Sequence, residues 1–316
     1  MYNQSVKNLR ICVTEKCNLK CFFCHKEWNP SGNYSLEPGE ISRIVKVASS
    51  LGISRVKITG GEPLLRNDIV EIVRMISPIT EEVSLVTNGI LLEDYAWDLK
   101  NAGLSRVNVN LPSLNPLKYR NITGGGDIKK VFNGINAAVE ANLAPLKINM
   151  VVLKGVNDGE VEEMMDYACS IGAILQLIEL QPIPEDKHVF EKFHVSLKEL
   201  EECIESKSVM KALNHTGQRN VYVVPKKDNR VIVEIVSPVG NPNFCLKCSK
   251  LRVTCDGRLK PCLLRNDNLI SILELTRSEE YFEALRKKFI EAIAMKEPYW
   301  KNHDGLKADS ISSVLP

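Results

Sequence analysis

The sequence predicts an α/β chain: six strand–helix repeats over roughly the first two hundred residues, then a smaller α+β module. Three observations carry this. Short β-branched runs alternate with segments of helical period. Turn residues such as Gly60-Gly61 and Asn88-Gly89 close the strands. The alternation stops near residue 215.

The elements follow in order. LRICVT (9–14) reads as the first strand, and EISRIVKVASSLG (40–52) sets apolar residues at helical spacing before a Gly stop. RVKIT (55–59) is the second strand, DIVEIVRMI (68–76) a helix, and EVSLVTNG (82–89) a third strand ending in a polar turn. EDYAWDLKNAG (93–103) is helical and RVNVNL (106–111) a strand; DIKKVFNGINAAVEAN (127–142) is helical and LKINMVVL (146–153) a strand. DGEVEEMMDYACSIG (158–172) is helical and ILQLIEL (174–180) the sixth strand, before the Ser-capped helix SLKELEECIESK (196–207). Strict alternation implies a parallel sheet with right-handed crossovers. An open or closed (β/α) barrel and a doubly wound sheet both satisfy it. Either way, reactive groups belong at the C-terminal ends of strands. Residues 17–24, 60–63 and 87–89 follow strands one, two and three. Beyond residue 215, NVYVVPKKDNRVIVEIV (220–236) reads as two strands around a polar turn, and SEEYFEALRKKFIEAIAMK (278–296) as a helix. Two units are therefore expected, 1–215 and 216–316.

The 316 residues are enough to bury a core in both units. With 44% hydrophobic and 25% charged residues, global disorder is excluded. A net charge of +2 points to neither a nucleic-acid nor a membrane-surface partner. No run approaches the ~20 apolar residues of a membrane span, and MYNQSVKNLR lacks the apolar core of a signal peptide. The cytoplasm is the expected compartment, where Cys clusters more often mean metal or catalysis than disulfides.

Ten cysteines fall into three sets. Cys169 and Cys203 stand alone on helical segments, as buried small hydrophobes do. The first cluster, CVTEKCNLKCFFC, holds Cys12, Cys17, Cys21 and Cys24. A structural zinc site closes with four protein ligands. Cys12, however, falls inside the strand, sharing a face with Arg10 and Thr14, and His25 is poorly placed beside Cys24. That leaves three thiols on one loop. A cubane of four irons offers one ligand site per iron, so three thiols leave one iron open. The second cluster, FCLKCSKLRVTCDGRLKPC, spaces Cys245, Cys248 and Cys262 as C-x2-C-x13-C. Taken alone it also admits zinc with Cys255 as fourth ligand.

The C-x3-C-x2-C loop, with Phe23 before its last Cys, and GGEPLL (60–65) resemble the radical S-adenosylmethionine (SAM) superfamily. The second Cys string, with KITGGEPLLR, VTNGILL, KYRNITGGG and KINMVVLKGVND, is similar to the GTP 3′,8-cyclase family of molybdenum-cofactor biosynthesis. This resemblance implies a partial (β/α)6 TIM-like barrel whose smaller C-terminal α+β module carries a second Fe–S site. It implies two 4Fe–4S clusters, on Cys17, Cys21 and Cys24 and on Cys245, Cys248 and Cys262, with Cys255 a spare thiol. It implies SAM contacts from Phe23, Gly61, Glu62, Thr87 and Asn110. Arg10, Lys250 and Arg252 would grip the GTP triphosphate, and Lys57, Arg55 and Lys147 match basic pocket positions. Lys250 keeps the charge of the family's usual Arg without its bidentate fork. Gln176 stands where the family has another Arg, Gln181 where it has Met, and Asn110 where it has Ser. The family's Gly-Gly tail is replaced by ADSISSVLP.

The implied activity, the first step of molybdopterin biosynthesis, is radical cyclisation of GTP to 3′,8-cyclo-7,8-dihydro-GTP. A deoxyadenosyl radical from SAM takes hydrogen from ribose C3′, and C3′ then bonds to guanine C8. The resemblance further implies a closed barrel interior that excludes water and a reduced electron carrier such as ferredoxin or flavodoxin. It is compatible with a homodimer. The alternative is a radical SAM enzyme with the same module acting on a peptide or another nucleotide.

Overall fold

The strands bury one face and leave the other polar, and this alternation organises the chain. The structure is a computed structural model describing residues 6–26, 35–182, 187–214 and 219–297. Six parallel strands form its centre: β1 (Asn8–Cys12), β2 (Arg55–Thr59), β3 (Glu82–Thr87), β4 (Arg106–Asn110), β5 (Lys147–Val152) and β6 (Ile174–Glu179). Between them run α1 (Pro38–Ser50), α2 (Ile69–Ile76), α3 (Leu92–Asn101), α4 (Pro116–Thr123), α5 (Ile128–Glu140) and α6 (Val161–Ser170). Leu9, Ile11, Val56, Ile58, Leu85, Val107, Ile148 and Leu175 point to the helical side and join Ile41, Ile44, Ile72 and Ile135 in one core. Burying such an aliphatic side chain stabilises the fold by about 1.5–3 kcal/mol.

The intervening strand residues line the opposite, inner face. They include Arg10, Lys57, Ser84, Asn108, Lys147, Asn149 and Gln176. A polar inner face is not needed for folding; it signals a binding surface.

The remaining chain forms α7 (Lys187–Phe193), α8 (Lys198–Lys207), β7 (Met210–Asn214), β8 (Arg219–Lys226), β9 (Asn229–Val236), α9 (Pro242–Leu246), β10 (Lys250–Val253), β11 (Arg258–Lys260), β12 (Ile270–Ser271), α10 (Leu273–Arg277) and α11 (Tyr281–Ala294). Its strands extend the barrel sheet at both edges. β9 pairs parallel with β6, and β10 pairs parallel with β1. The resulting order is β12-β11-β10-β1-β2-β3-β4-β5-β6-β9-β8-β7.

The expected closed interior is thus corrected. The added hairpins prolong each edge instead of pairing β1 with β6, and the sheet stays open. The six expected repeats are present, and the 220–236 hairpin is β8–β9. Helices α4 and α7 and strand β10, which lies inside the second Cys motif, were not expected. The divergent tail lies outside the described residues. Among the described residues, no helix is long and apolar enough to cross a membrane.

Candidate active site

The first Cys loop leaves β1 and is held by backbone bonds on two sides. On one side, Val13 N–H donates to Thr59 O (2.9 Å), Gly61 N–H to Thr14 O (2.8 Å) and Glu62 N–H to Lys16 O (2.8 Å). A Cβ on Gly61 would collide with the Lys16 carbonyl oxygen and stand 2.6 Å from that of Glu15. Only glycine permits this approach. On the other side, Lys20 N–H donates to Thr123 O (2.8 Å) and Phe22 N–H to Ile122 O (3.2 Å) at the end of α4. Gly124 ends α4 in the left-handed region (φ 71°), where a Cβ would again strike Lys20. Phe22 lies 4.8 Å from Phe193 of α7 and edge-on to Phe23, giving the loop its own small apolar cluster.

Glu62 is fully buried and ties three segments together. Its Oε1 accepts from Leu64 N–H (3.0 Å) and the Thr87 hydroxyl (2.8 Å), and its Oε2 from Asn88 N–H (2.7 Å). Burial pushes its carboxyl up to about 7, against those three bonds, which favour the carboxylate. Asn88 Nδ2 in turn donates to Asn18 Oδ1 (2.7 Å), inside the Cys loop. The side chains of Glu62 and Thr87 are therefore occupied in building the site. Asn110 Oδ1 accepts from Asn149 (3.0 Å) on the inner face.

The three loop thiols act on one another. Burial raises Cys21 to about 12, with the charges of Cys24 and Cys17 adding to it; burial also raises Cys17, and Glu62 and Cys24 contribute. Such thiols ionise only when a metal takes the charge. Cys245 behaves alike: burial lifts it to about 11, with Cys262 and Cys248 contributing. Cys248 is pulled down despite burial by the ammonium groups of Lys296 and Lys250 and by Arg252. Among the described residues, no three His, Cys, Asp or Glu side chains are placed to hold a single ion. A zinc ion needs its thiolates about 2.3 Å from one point, whereas a cubane spreads three thiolates over three irons. Each triad offers three mutually interacting thiols, the donor set that a cubane can take on three of its irons. Cys12 and Cys255 belong to neither: Cys12 donates to Thr14 O (3.4 Å), and buried Cys255 donates to Glu15 (3.3 Å) in the first loop.

Register fixes how the triads relate. β1 and β10 run parallel with Asn8 opposite Lys250 and Arg10 opposite Arg252. Cys248 lies just before β10, and Cys262 follows β11, which is antiparallel to β10. The second triad therefore sits at the N-terminal end of β1 and the first beyond its C-terminal end. The strand between them rises about 13 Å from Asn8 to Cys12, at ~3.3 Å per residue.

Cations fill that interval. Burial drives Lys57 well below its ordinary value, and Arg106, Arg10, Arg219 and Lys147 add to the effect. Lys250 is likewise lowered, by burial first and then by Arg219, Arg10 and Arg252. Lys57 donates to Asn108 (3.2 Å), and Lys147 pairs with Glu234. All five basic residues expected from the sequence thus converge, and Arg55 lies one inner-face step from Lys57. Two further members were missed. Arg106, bonded to Glu82 (2.7 Å) and Asn108 (3.0 Å), opens the strand RVNVN, whose alternating polar residues make a charge there look like part of an ordinary solvated face. Arg219 gives no sequence signal, because its place depends on the long-range pairing of β8, β9 and β6.

Residues 11–168 match the radical SAM superfamily, and residues 173–302 match the family described as Molybdenum Cofactor Synthesis C. A protein of Archaeoglobus fulgidus named "Probable GTP 3′,8-cyclase" is 44% identical over 305 residues, covering 95% of this chain and 98% of its own. One of Thermococcus kodakarensis with the same name is 44% identical over 303 residues, covering 95% and 98%.

The chain belongs to the GTP 3′,8-cyclase family of radical SAM proteins.

Solved structures agree on the fold. Streptococcus suis SuiB bound to precursor peptide SuiA superposes with a TM-score of 0.66 at 15% identity, over 90% of this chain and 67% of SuiB. Histidine-tagged anSMEcpe with bound AdoMet gives 0.61 at 18% identity, over 89% and 82%. Within the family's frame, the open sheet with a Cys loop after β1 is the radical SAM core, and the strands added beside β1 border the second motif.

Proposed function

We propose that this protein cyclises GTP to 3′,8-cyclo-7,8-dihydro-GTP, the first step of molybdopterin synthesis, using two 4Fe–4S clusters and SAM. The observation that carries the reading is the inner face itself. It has a thiol triad at each end and, between them, the cations Arg10, Lys57, Lys147, Lys250 and Arg252. A triphosphate needs several converging cations, and radical chemistry needs the substrate within reach of a cluster-bound cofactor. The names of the relatives support the same reaction.

Cys17, Cys21 and Cys24 would hold the first cluster, which together with SAM supplies the one-electron chemistry. Cys245, Cys248 and Cys262 would hold the second, which would supply a site for binding the guanine. The backbone at Gly61, the neighbouring Phe23 and the inner-face amide of Asn110 would orient SAM. Glu62 and Thr87 would hold that backbone rigid through their mutual bond. Lys57 and Lys250 would neutralise phosphate at reduced desolvation cost, because they are already half-buried. Lys147, paired with Glu234, fixes the far wall. The core 1–215 would supply SAM chemistry and the cations Arg10, Lys57 and Lys147, and 216–316 would add the second cluster with Lys250 and Arg252. A reduced ferredoxin- or flavodoxin-type carrier would deliver the electron in the cytoplasm.

The test is anaerobic reconstitution followed by iron analysis and incubation with SAM and GTP. About eight irons per chain and a cyclised product are expected. SAM cleavage with GTP recovered unchanged refutes the reading.

A further inference from the structure

The inner wall formed by β6 and β9 lacks a charge that the family resemblance calls for, since position 176 carries Gln where an Arg is expected. The structure shows where that Gln goes. Gln176 faces Glu234 in register across β6 and β9, and its amide donates to Glu234 Oε2 (2.6 Å). The other carboxylate oxygen is taken by Lys147. Lys147 and Glu234 cancel, so these three side chains alone give the wall no net charge.

Arg219 changes this. It enters from β8, next to β9, and its NH1 donates to Glu234 Oε2 at 3.0 Å. The carboxylate thus collects Gln176, Lys147 and Arg219 at one place. The wall is left with one net positive charge, as an Arg at position 176 would leave it. The side chain is only 18% exposed, and its Nε is closed off from solvent with no hydrogen-bond partner among the described residues. Buried donors in folded proteins are nearly always matched, which marks this guanidinium as one that still awaits an acceptor. Its charge reaches Lys57, on the opposite side of the inner face. It therefore projects over the space that the cations of β1, β2 and β10 border.

We propose that Arg219 is a substrate-binding residue that grips the triphosphate, delivered by Glu234 to the place where Gln176 carries no charge. This rests on the reading of the site as a nucleoside triphosphate pocket. Guanidinium is suited to the task because it can hold Glu234 with one edge and offer another to phosphate oxygens. Glu234 acts as a positioning residue: it orients Arg219 and Lys147 without touching substrate.

The test measures binding of GTP, of inorganic tripolyphosphate and of guanosine to the reconstituted protein and to Arg219→Ala, Arg219→Lys and the double variant Arg219→Ala, Gln176→Arg. Arg219→Ala is expected to weaken GTP and tripolyphosphate by about tenfold or more, the scale of one charge-assisted contact, and to leave guanosine within about twofold. The Lys variant, which keeps the Glu234 pair, should fall between. The double variant should recover most of the lost affinity, which a purely structural role for Arg219 would not produce. Arg219→Ala protein that binds GTP as wild type does, or that loses guanosine together with GTP, overturns the proposal while leaving the GTP reading intact. Arg219-dependent binding of tripolyphosphate without binding of GTP overturns the GTP reading and retains the anion grip.

Discussion

Replacing Gly61 by Ala tests how the SAM site is assembled. The added Cβ would overlap the carbonyl oxygens of Lys16 and Glu15, the latter at 2.6 Å. Relieving this to an ordinary C···O contact of about 3.3–3.6 Å requires the two loops to part by close to 1 Å. The bonds from Gly61 N–H to Thr14 O and from Glu62 N–H to Lys16 O, both 2.8 Å, would then stretch beyond hydrogen-bond range. Overpacking costs about 1–3 kcal/mol and each lost bond about 0.5–1.5 kcal/mol, for a total of about 2–6 kcal/mol. The second triad lies at the other end of β1 and should be untouched. The assays are chemical denaturation, SAM binding, and iron content per chain. Lower stability, weakened SAM binding and retention of the second cluster are expected. An Ala variant with wild-type stability and wild-type SAM binding refutes the argument that the loops are locked by glycine.

Further outcomes follow from the same geometry. Ala at Cys21 or at Cys245 should each halve the iron content, from about eight to about four per chain. The Cys245 variant should still cleave SAM but form no cyclised GTP; product formation by it would contradict the role of the second triad. Ala at Cys12 and Cys255 together should leave the iron count unchanged, since those thiols bond to Thr14 and Glu15; a loss of iron refutes this. GTP affinity should fall as pH rises above neutrality. Burial and neighbouring cations lower Lys57 and Lys250, so the charged forms that phosphate requires are lost early; calorimetric titrations across pH check it. Glu234 is held at about 2, because Lys147 and Arg219 outweigh its burial. Against an unfolded value of about 4.3, that contributes on the order of 3 kcal/mol. It is present above about pH 4.3 and lost as pH falls towards 2. Glu234→Gln should flatten the acid-unfolding profile over that window; an unchanged profile contradicts it.

Much of this site is legible in the chain because its signals are local. Cys17, Cys21 and Cys24 lie within eight residues, and Gly60-Gly61 declares a tight approach even before its partner loop is known. Lys57 and Lys147 stand out because a charge inside an apolar strand run is costly to bury unless its face of the sheet is polar. The side chains of Glu62 and Thr87 were harder to assign. Sequence expects them against SAM, and the fold also uses them to join the loops after β1, β2 and β3, a role no local signal announces. Strand β10 was hidden because its four residues lie between the cysteines of the second motif, and nothing local announces a parallel partner about 240 residues away. Arg219 and Glu234 were hidden for the same reason. Which residues face Gln176 is decided by β9 docking on β6, a long-range event that periodicity does not record.

The most direct test of the proposed reaction follows one hydrogen atom. GTP carrying deuterium at ribose C3′ is incubated with reduced, reconstituted protein and SAM, and both products are weighed by mass spectrometry. Deuterium in 5′-deoxyadenosine, with a cyclised nucleotide that has lost it from C3′, is the expected result. Unlabelled 5′-deoxyadenosine beside intact, fully deuterated GTP would contradict the assignment of this inner face to GTP cyclisation.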